Sequence, residues 1–215
     1  MAQIFPKWTN LIPLIVGLAT LPCAALAVTL VYYYGSPKFT DVGYRPIQPV
    51  AYSHKLHAGE LGLDCRYCHA QVEVSPVATV PPTKVCMNCH ATVLRDSLKL
   101  APVRESMATG TPIQWVRIHN IPDYAYFDHS VHVSAGVGCA SCHGNIQEME
   151  VVQQAMPLSM AWCLDCHRNP DMHLRPLSEV TNMEWTPPKD QQAFADRARA
   201  ERDINPTSDC SACHR

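Results

Sequence analysis

The chain is poor in charge. Acidic and basic residues fill 17% of its 215 positions, and 17 basic against 19 acidic side chains leave a formal net charge of −2. No basic excess is available to neutralise a phosphate backbone, so nucleic acid is excluded as a partner. Phenylalanine is scarce, at 4 residues, and glycine stands at only 9. Uninterrupted regular structure is also in short supply: 18 prolines, about one position in twelve, break up helices and strands over most of the length. The length itself admits one domain or two small ones.

Cysteine and histidine, at 11 each, are abundant. Ten of the cysteines fall in five identical frames: Cys65-x-x-Cys68-His69, Cys86-x-x-Cys89-His90, Cys139-x-x-Cys142-His143, Cys163-x-x-Cys166-His167 and Cys210-x-x-Cys213-His214. This frame is the attachment signature of c-type haem. Two thiols three positions apart reach the two vinyl groups of one porphyrin, and the next residue supplies an axial nitrogen to the iron. Zinc ribbons and disulfide frameworks also use paired cysteines, but neither accounts for a histidine after every second one. The frames imply five covalently bound haem c groups, with His69, His90, His143, His167 and His214 as proximal ligands. Residues 36–215 then offer about 36 residues per haem, too few for a hydrocarbon core. The expected fold is a multihaem cytochrome c, mostly irregular with short α-helices wrapped around five c-type haems, plus one N-terminal transmembrane helix.

Residues 9–35 carry no charged side chain, a run long enough to span a bilayer. Trp8 and Tyr32–Tyr34 flank it as interfacial aromatics. A cleaved signal peptide would have a shorter apolar run and a small-x-small site before Tyr32, so residues 1–35 read as a retained signal-anchor. Cys23 inside it reads as an ordinary buried thiol. Lys7 on one side and Lys38 and Arg45 on the other do not orient the span. Haem c is attached on the outer side of the energised membrane, which places the haem segment on the periplasmic side of the cytoplasmic membrane.

Residues 36–50, with Pro37, Pro46 and Pro49, read as an extended linker. The haem segment, 51–215, contains a repeat: Tyr52-Ser53-His54-Lys55-Leu56-His57 recurs 75 positions later as Phe127-Asp128-His129-Ser130-Val131-His132, and Gly62 and Gly136 each stand three residues before a CxxCH frame. Two dihaem units follow, 51–118 and 119–185, with the fifth site in 186–215. Helices are expected from Thr83 through Cys86, Cys89, Val93 and Leu98, from Ser159 to His167, and over 190–203, where Phe194 and Ala198 give a thin apolar edge. No strand-rich domain is expected.

Six histidines remain for the opposite faces of the irons: His54, His57, His119, His129, His132 and His173. Saturated irons suit electron relay, because they change redox state with little reorganisation, whereas a catalyst leaves one iron open. Met107, Met149, Met156, Met160 and Met183 are alternative ligands.

The aromatic-x-His-x-x-His stretch before CxxCH resembles the class III multihaem cytochromes c. That resemblance implies that His54 faces the haem of His69, His57 that of His90, His129 that of His143 and His132 that of His167, leaving His119 for the haem of His214. More of the chain resembles the pentahaem cytochrome subunits of alternative complex III. The matching stretches are the anchor, residues 52–59, Trp115–Asp123, Phe127–Val133 with Cys139–Gly144, and Met160–Pro170. The resemblance implies a non-enzymatic subunit that carries electrons from an iron–sulfur subunit, fed by polytopic quinol-binding membrane subunits, to a monohaem cytochrome c or another carrier. His173 lies outside these stretches and reads as a surface residue. A free-standing quinol dehydrogenase of the NapC type is the principal alternative. A multihaem nitrite reductase and a reaction-centre haem subunit fit less well, since all five frames end in histidine and the His-x-x-His repeat is present.

Overall fold

A computed structural model describes residues 4–214; residues 1–3 of the expected anchor and residue 215 of the expected haem segment lie outside it. The chain divides into two units after Asp41.

The first unit is dominated by helix α1, Ile12–Tyr34, entered through a 3₁₀ turn at Lys7–Leu11. Its 23 residues extend about 35 Å, against about 30 Å of bilayer hydrocarbon. Every residue of α1 is exposed and the helix is apolar all round, the opposite of an amphipathic core helix. Lys7–Tyr34 is thus long and apolar enough to cross a membrane. Its two threonine hydroxyls are satisfied internally, Thr20 donating to the Val16 carbonyl at 2.7 Å and Thr29 to that of Ala25 at 2.8 Å. Residues 36–50 are not extended throughout. Pro37 fixes its own φ at a helical value and opens a one-turn helix, α2 (Pro37–Thr40), whose Phe39 meets Tyr34 edge-on at 4.7 Å.

In the second unit all five CxxCH frames lie on short helices: α3 (Cys65–Cys68), α4 (Thr83–His90), α7 (Ala140–His143), α8 (Met160–Arg168) and α10 (Cys210–Cys213). One helical turn brings residues three apart to the same side, which is what two bonds to one porphyrin edge need. Helix α8 starts where Ser159 Oγ accepts from the Trp162 amide at 3.3 Å. Helix α4 ends at His90, short of the expected Leu98, because Leu94 turns left-handed at φ 53° and breaks the run. The chain then resumes as α5 (Ala101–Thr109), tied to α4 by a 2.7 Å hydrogen bond between Thr83 and Ser106 hydroxyls. Helix α6 (His129–Ala135), not foreseen, is capped by Asp128, which accepts from the Ser130 amide at 2.8 Å, and stops at Gly136 with φ 89°.

The expected helix near the C-terminus is α9 (Gln191–Arg202), and its buried edge is Gln191, Ala195 and Ala198 rather than Phe194. It packs on the 3₁₀ turn Asp171–His173, with Gln191 Nε2 donating to the Leu174 carbonyl at 2.8 Å. Among the described residues there are no strands, only isolated bridges at Ala125–His214 and Val137–Leu174. Buried apolar side chains are few: Val50, Val103, Leu174, Val180, Ala195 and Ala198. The exposed area is 14982 Å², against about 10,000 Å² for a compact chain of 23.9 kDa. Helix α1 accounts for part of the excess. The rest belongs to a segment whose own side chains do not make a core.

Candidate haem centres

The two halves of the repeat have the same local geometry. Tyr52 stacks on His57 at 4.4 Å and meets His54 edge-on at 4.8 Å. Phe127 stacks on His132 at 4.6 Å and meets His129 edge-on at 4.7 Å. In each half the second imidazole turns its Nδ1 to the carbonyl four residues back: His57 to Ser53 at 2.8 Å and His132 to Asp128 at 2.7 Å. The first half adopts a π-turn, Lys55–Glu60, and the second the α-helix α6. The aromatic residue two positions ahead of the first histidine therefore serves to orient both rings.

The tautomers follow from hydrogen bonding. Nδ1 of His69 faces the Thr79 carbonyl at 2.8 Å, His90 that of Val93 at 2.9 Å, His129 that of Pro76 at 2.8 Å, His167 that of Thr207 at 2.6 Å and His214 that of Tyr124 at 3.3 Å. A carbonyl can only accept, so Nδ1 carries the proton in all of these and in His57 and His132. Nε2 keeps its lone pair, as a metal ligand must. Burial reinforces the neutral form. It holds His54 down to about 4 and His143 to about 3, and it also lowers His119 and His132.

Ring separations supply a further test of fit. With metal–imidazole bonds of about 2 Å, two rings on opposite sides of one iron have centroids about 6.3 Å apart. His57 and His90 stand 6.2 Å apart, His132 and His167 6.1 Å, and His129 and His143 6.4 Å. His54 lies close enough to His69 to feel its charge, and its buried Nδ1 has no hydrogen-bond partner. His119 is placed differently from expectation. Its contact is with His143, Nε2 to Nδ1 at 3.3 Å with the rings edge-on at 4.4 Å, whereas the ring beside His214 is Tyr124, at 5.8 Å. The segment after His119 reaches the fifth frame through backbone instead, with the Tyr126 amide donating to the Cys213 carbonyl.

The cysteines suit the same group. None of the 11 is in a disulfide, and among the described residues no three His, Cys, Asp or Glu side chains converge as a zinc ion would need. Their neighbours order the five frames in space. Cys68 lies near Cys86, Cys65 near Cys139, Cys142 near Cys163 and Cys166, and Cys163 near Cys213. The frames thus form a row in the order second, first, third, fourth, fifth. Sequence order alone would have put the first at the end. The residues fit haem: paired thiols on single helical turns, protonated Nδ1 atoms anchored to carbonyls, and three histidine pairs with ring centroids 6.1–6.4 Å apart.

Two comparisons bear on the chain. The multihaem cytochrome c subunit of menaquinone reductase from Nitratidesulfovibrio vulgaris (strain Hildenborough) is 34% identical over 97 residues, which cover 45% of this chain. The chain thus spans about half the length of that relative, 45% of it. Residues 125–215, which hold the second His-x-x-His pair and the last three CxxCH frames, match the family of cytochrome c7 and related cytochrome c, so this part of the chain is similar to multihaem cytochromes with covalently bound c-type haem.

Proposed function

We propose that the chain is a membrane-anchored, pentahaem electron-relay subunit of a quinone-linked complex. The observation that carries the reading is the row of five CxxCH frames, three of whose histidines have a second imidazole centred 6.1–6.4 Å away. Each haem, when bound, supplies a one-electron couple. The chain's own residues do the rest: the cysteine pairs hold the porphyrins, and His69, His90, His143, His167 and His214 provide the proximal nitrogens. His54, His57, His129 and His132 close the opposite faces of four of them in the pairings given above, His54 with His69. Helix α1 keeps the assembly at the membrane, with the haem segment on the outer side. No general acid, nucleophile or substrate pocket is required, so the subunit itself is not an enzyme.

The likeness to a menaquinone reductase subunit supports quinone-linked transfer. The stretches shared with the pentahaem subunits of alternative complex III support the narrower reading. In it, electrons arrive from an iron–sulfur subunit fed by polytopic quinol-oxidising subunits, and leave to a monohaem cytochrome c. Native membranes solubilised in mild detergent and run on a haem-stained native gel test this directly. A band far above 24 kDa containing iron–sulfur and polytopic partners is the expected result. A light band holding this chain alone would replace the reading with a free-standing quinol dehydrogenase.

A further inference from the structure

Arg175 is 5% exposed, and among the described residues it forms no ion pair. Its Nη1 donates to the carbonyls of Asn182 at 2.8 Å and Glu179 at 3.3 Å, and its Cζ lies 4.6 Å from the centre of the Trp185 ring. Nε is buried without a hydrogen-bond partner. Carbonyls and an aromatic face orient a guanidinium, but they do not cancel its charge.

The charge is aimed at one haem frame. The guanidinium lies against Gly138, the residue before Cys139, so closely that a Cβ at Gly138 would overlap it. The approach is locked by backbone. The Arg175 amide donates to the Gly136 carbonyl at 2.9 Å, Val137 bridges to Leu174, and the Cys139 amide donates to the Val180 carbonyl at 3.0 Å. Gly136 and Gly138 are thus the places where residues 136–139 and 174–180 touch, and neither position has room for a side chain.

We propose that Arg175 is a fixed positive charge without an ion-pair partner that raises the reduction potential of the haem held by Cys139, Cys142 and His143, the middle site of the row. This rests on the haem reading above. The physical reason is that a ferric haem carries one more positive charge than the ferrous form, so a buried cation beside it favours the reduced state. Desolvation of the guanidinium lowers its own proton affinity, yet arginine stays charged, so the field persists at every accessible pH. Frames lie on both sides of this site, and a raised potential there gives the row a middle position where an electron rests first.

The test is a potentiometric titration of the holoprotein, followed by optical and EPR spectra, in wild type, R175Q and R175K. Haem content by mass is measured first; fewer than five haems in wild type would end the haem reading itself and is separate from the outcomes below. In R175Q one of five transitions moves to lower potential, so that at fixed potential that haem's reduced-to-oxidised ratio falls about tenfold, equivalent to about 59 mV for one electron. R175K keeps the charge and leaves that transition near its wild-type position. Unchanged transitions in R175Q, or an equal shift in R175K, would overturn the proposal. Should R175Q fail to mature, E179Q serves instead. It removes a carboxylate whose charge acts on Arg175 and moves the same transition to higher potential; no movement there refutes the assignment equally.

Discussion

Replacing His132 by alanine tests the ligand geometry at its best-defined point. His132 faces His167 at 6.1 Å, stacks on Phe127 at 4.6 Å and donates from Nδ1 to the Asp128 carbonyl at 2.7 Å. Removing the ring costs the hydrogen bond, about 1 kcal/mol, and the aromatic contact, about 0.5–1 kcal/mol, in addition to the iron bond. With the proposed haems attached, the fold tolerates a loss of about 2 kcal/mol. On the proposed pairing, the iron held by His167 would lose its sixth ligand and become high-spin and open. Carbon monoxide binding to the dithionite-reduced protein then rises by one equivalent per chain over wild type, and one low-spin EPR signal is lost. The same change at His129 opens a different iron, so the double variant gains two equivalents. If H132A takes up no more carbon monoxide than wild type and keeps every low-spin signal, the facing distances do not report ligation and the pairings collapse.

Three further predictions follow from individual contacts. H119A is expected to leave carbon monoxide uptake unchanged while shifting the potential of one haem, since His119 Nε2 touches Nδ1 of His143; one new carbon monoxide site would instead restore a pairing with His214. G136A is destabilised by about 1–2 kcal/mol or more, because φ 89° is strained for alanine and the methyl would meet the Arg175 carbonyl at 2.6 Å; a thermal midpoint equal to wild type would contradict the cap geometry. Asp64 accepts from the amide and side chain of Arg66, which holds its carboxyl down to about 2. A depressed folded value stabilises above the unfolded carboxylate range, near pH 4, and that stability is lost as pH falls toward 2. The melting difference between wild type and D64N should therefore shrink over that window, and a constant difference would remove Asp64 from the account.

Much of the chemistry was legible in residue order because haem attachment is a local demand. Two thiols and an imidazole within five positions satisfy it, and a single helical turn presents them, whatever the surroundings. The long apolar helix was legible for a similar reason, since 27 uncharged residues need only themselves to form a helix in hydrocarbon. The repeat was visible in the aromatic-x-His-x-x-His motif, and its geometry proved to be local as well: the aromatic ring stacks on one imidazole and edges the other in both halves.

What was illegible is non-local. Helix α4 was read past its end because nothing in the apolar spacing of Val93 and Leu98 signals the left-handed turn at Leu94. The Asp-Gly pair bounding α6, Asp128 and Gly136, was the overlooked signal for that helix. Carbonyl partners such as Pro76 for His129 and Thr207 for His167 come from 53 and 40 positions away, and no pattern in the chain points to them. The same holds for the neighbourhood of Arg175 and for the contact of His119 with His143, where the resemblance implied the haem of His214. The sequence by itself determined which atoms can bind haem, because those requirements are met within a few residues. Only the tertiary structure decided the spatial order of the sites, the facing of the imidazoles and the charge set beside the middle one, because each depends on segments far apart in the chain being packed together.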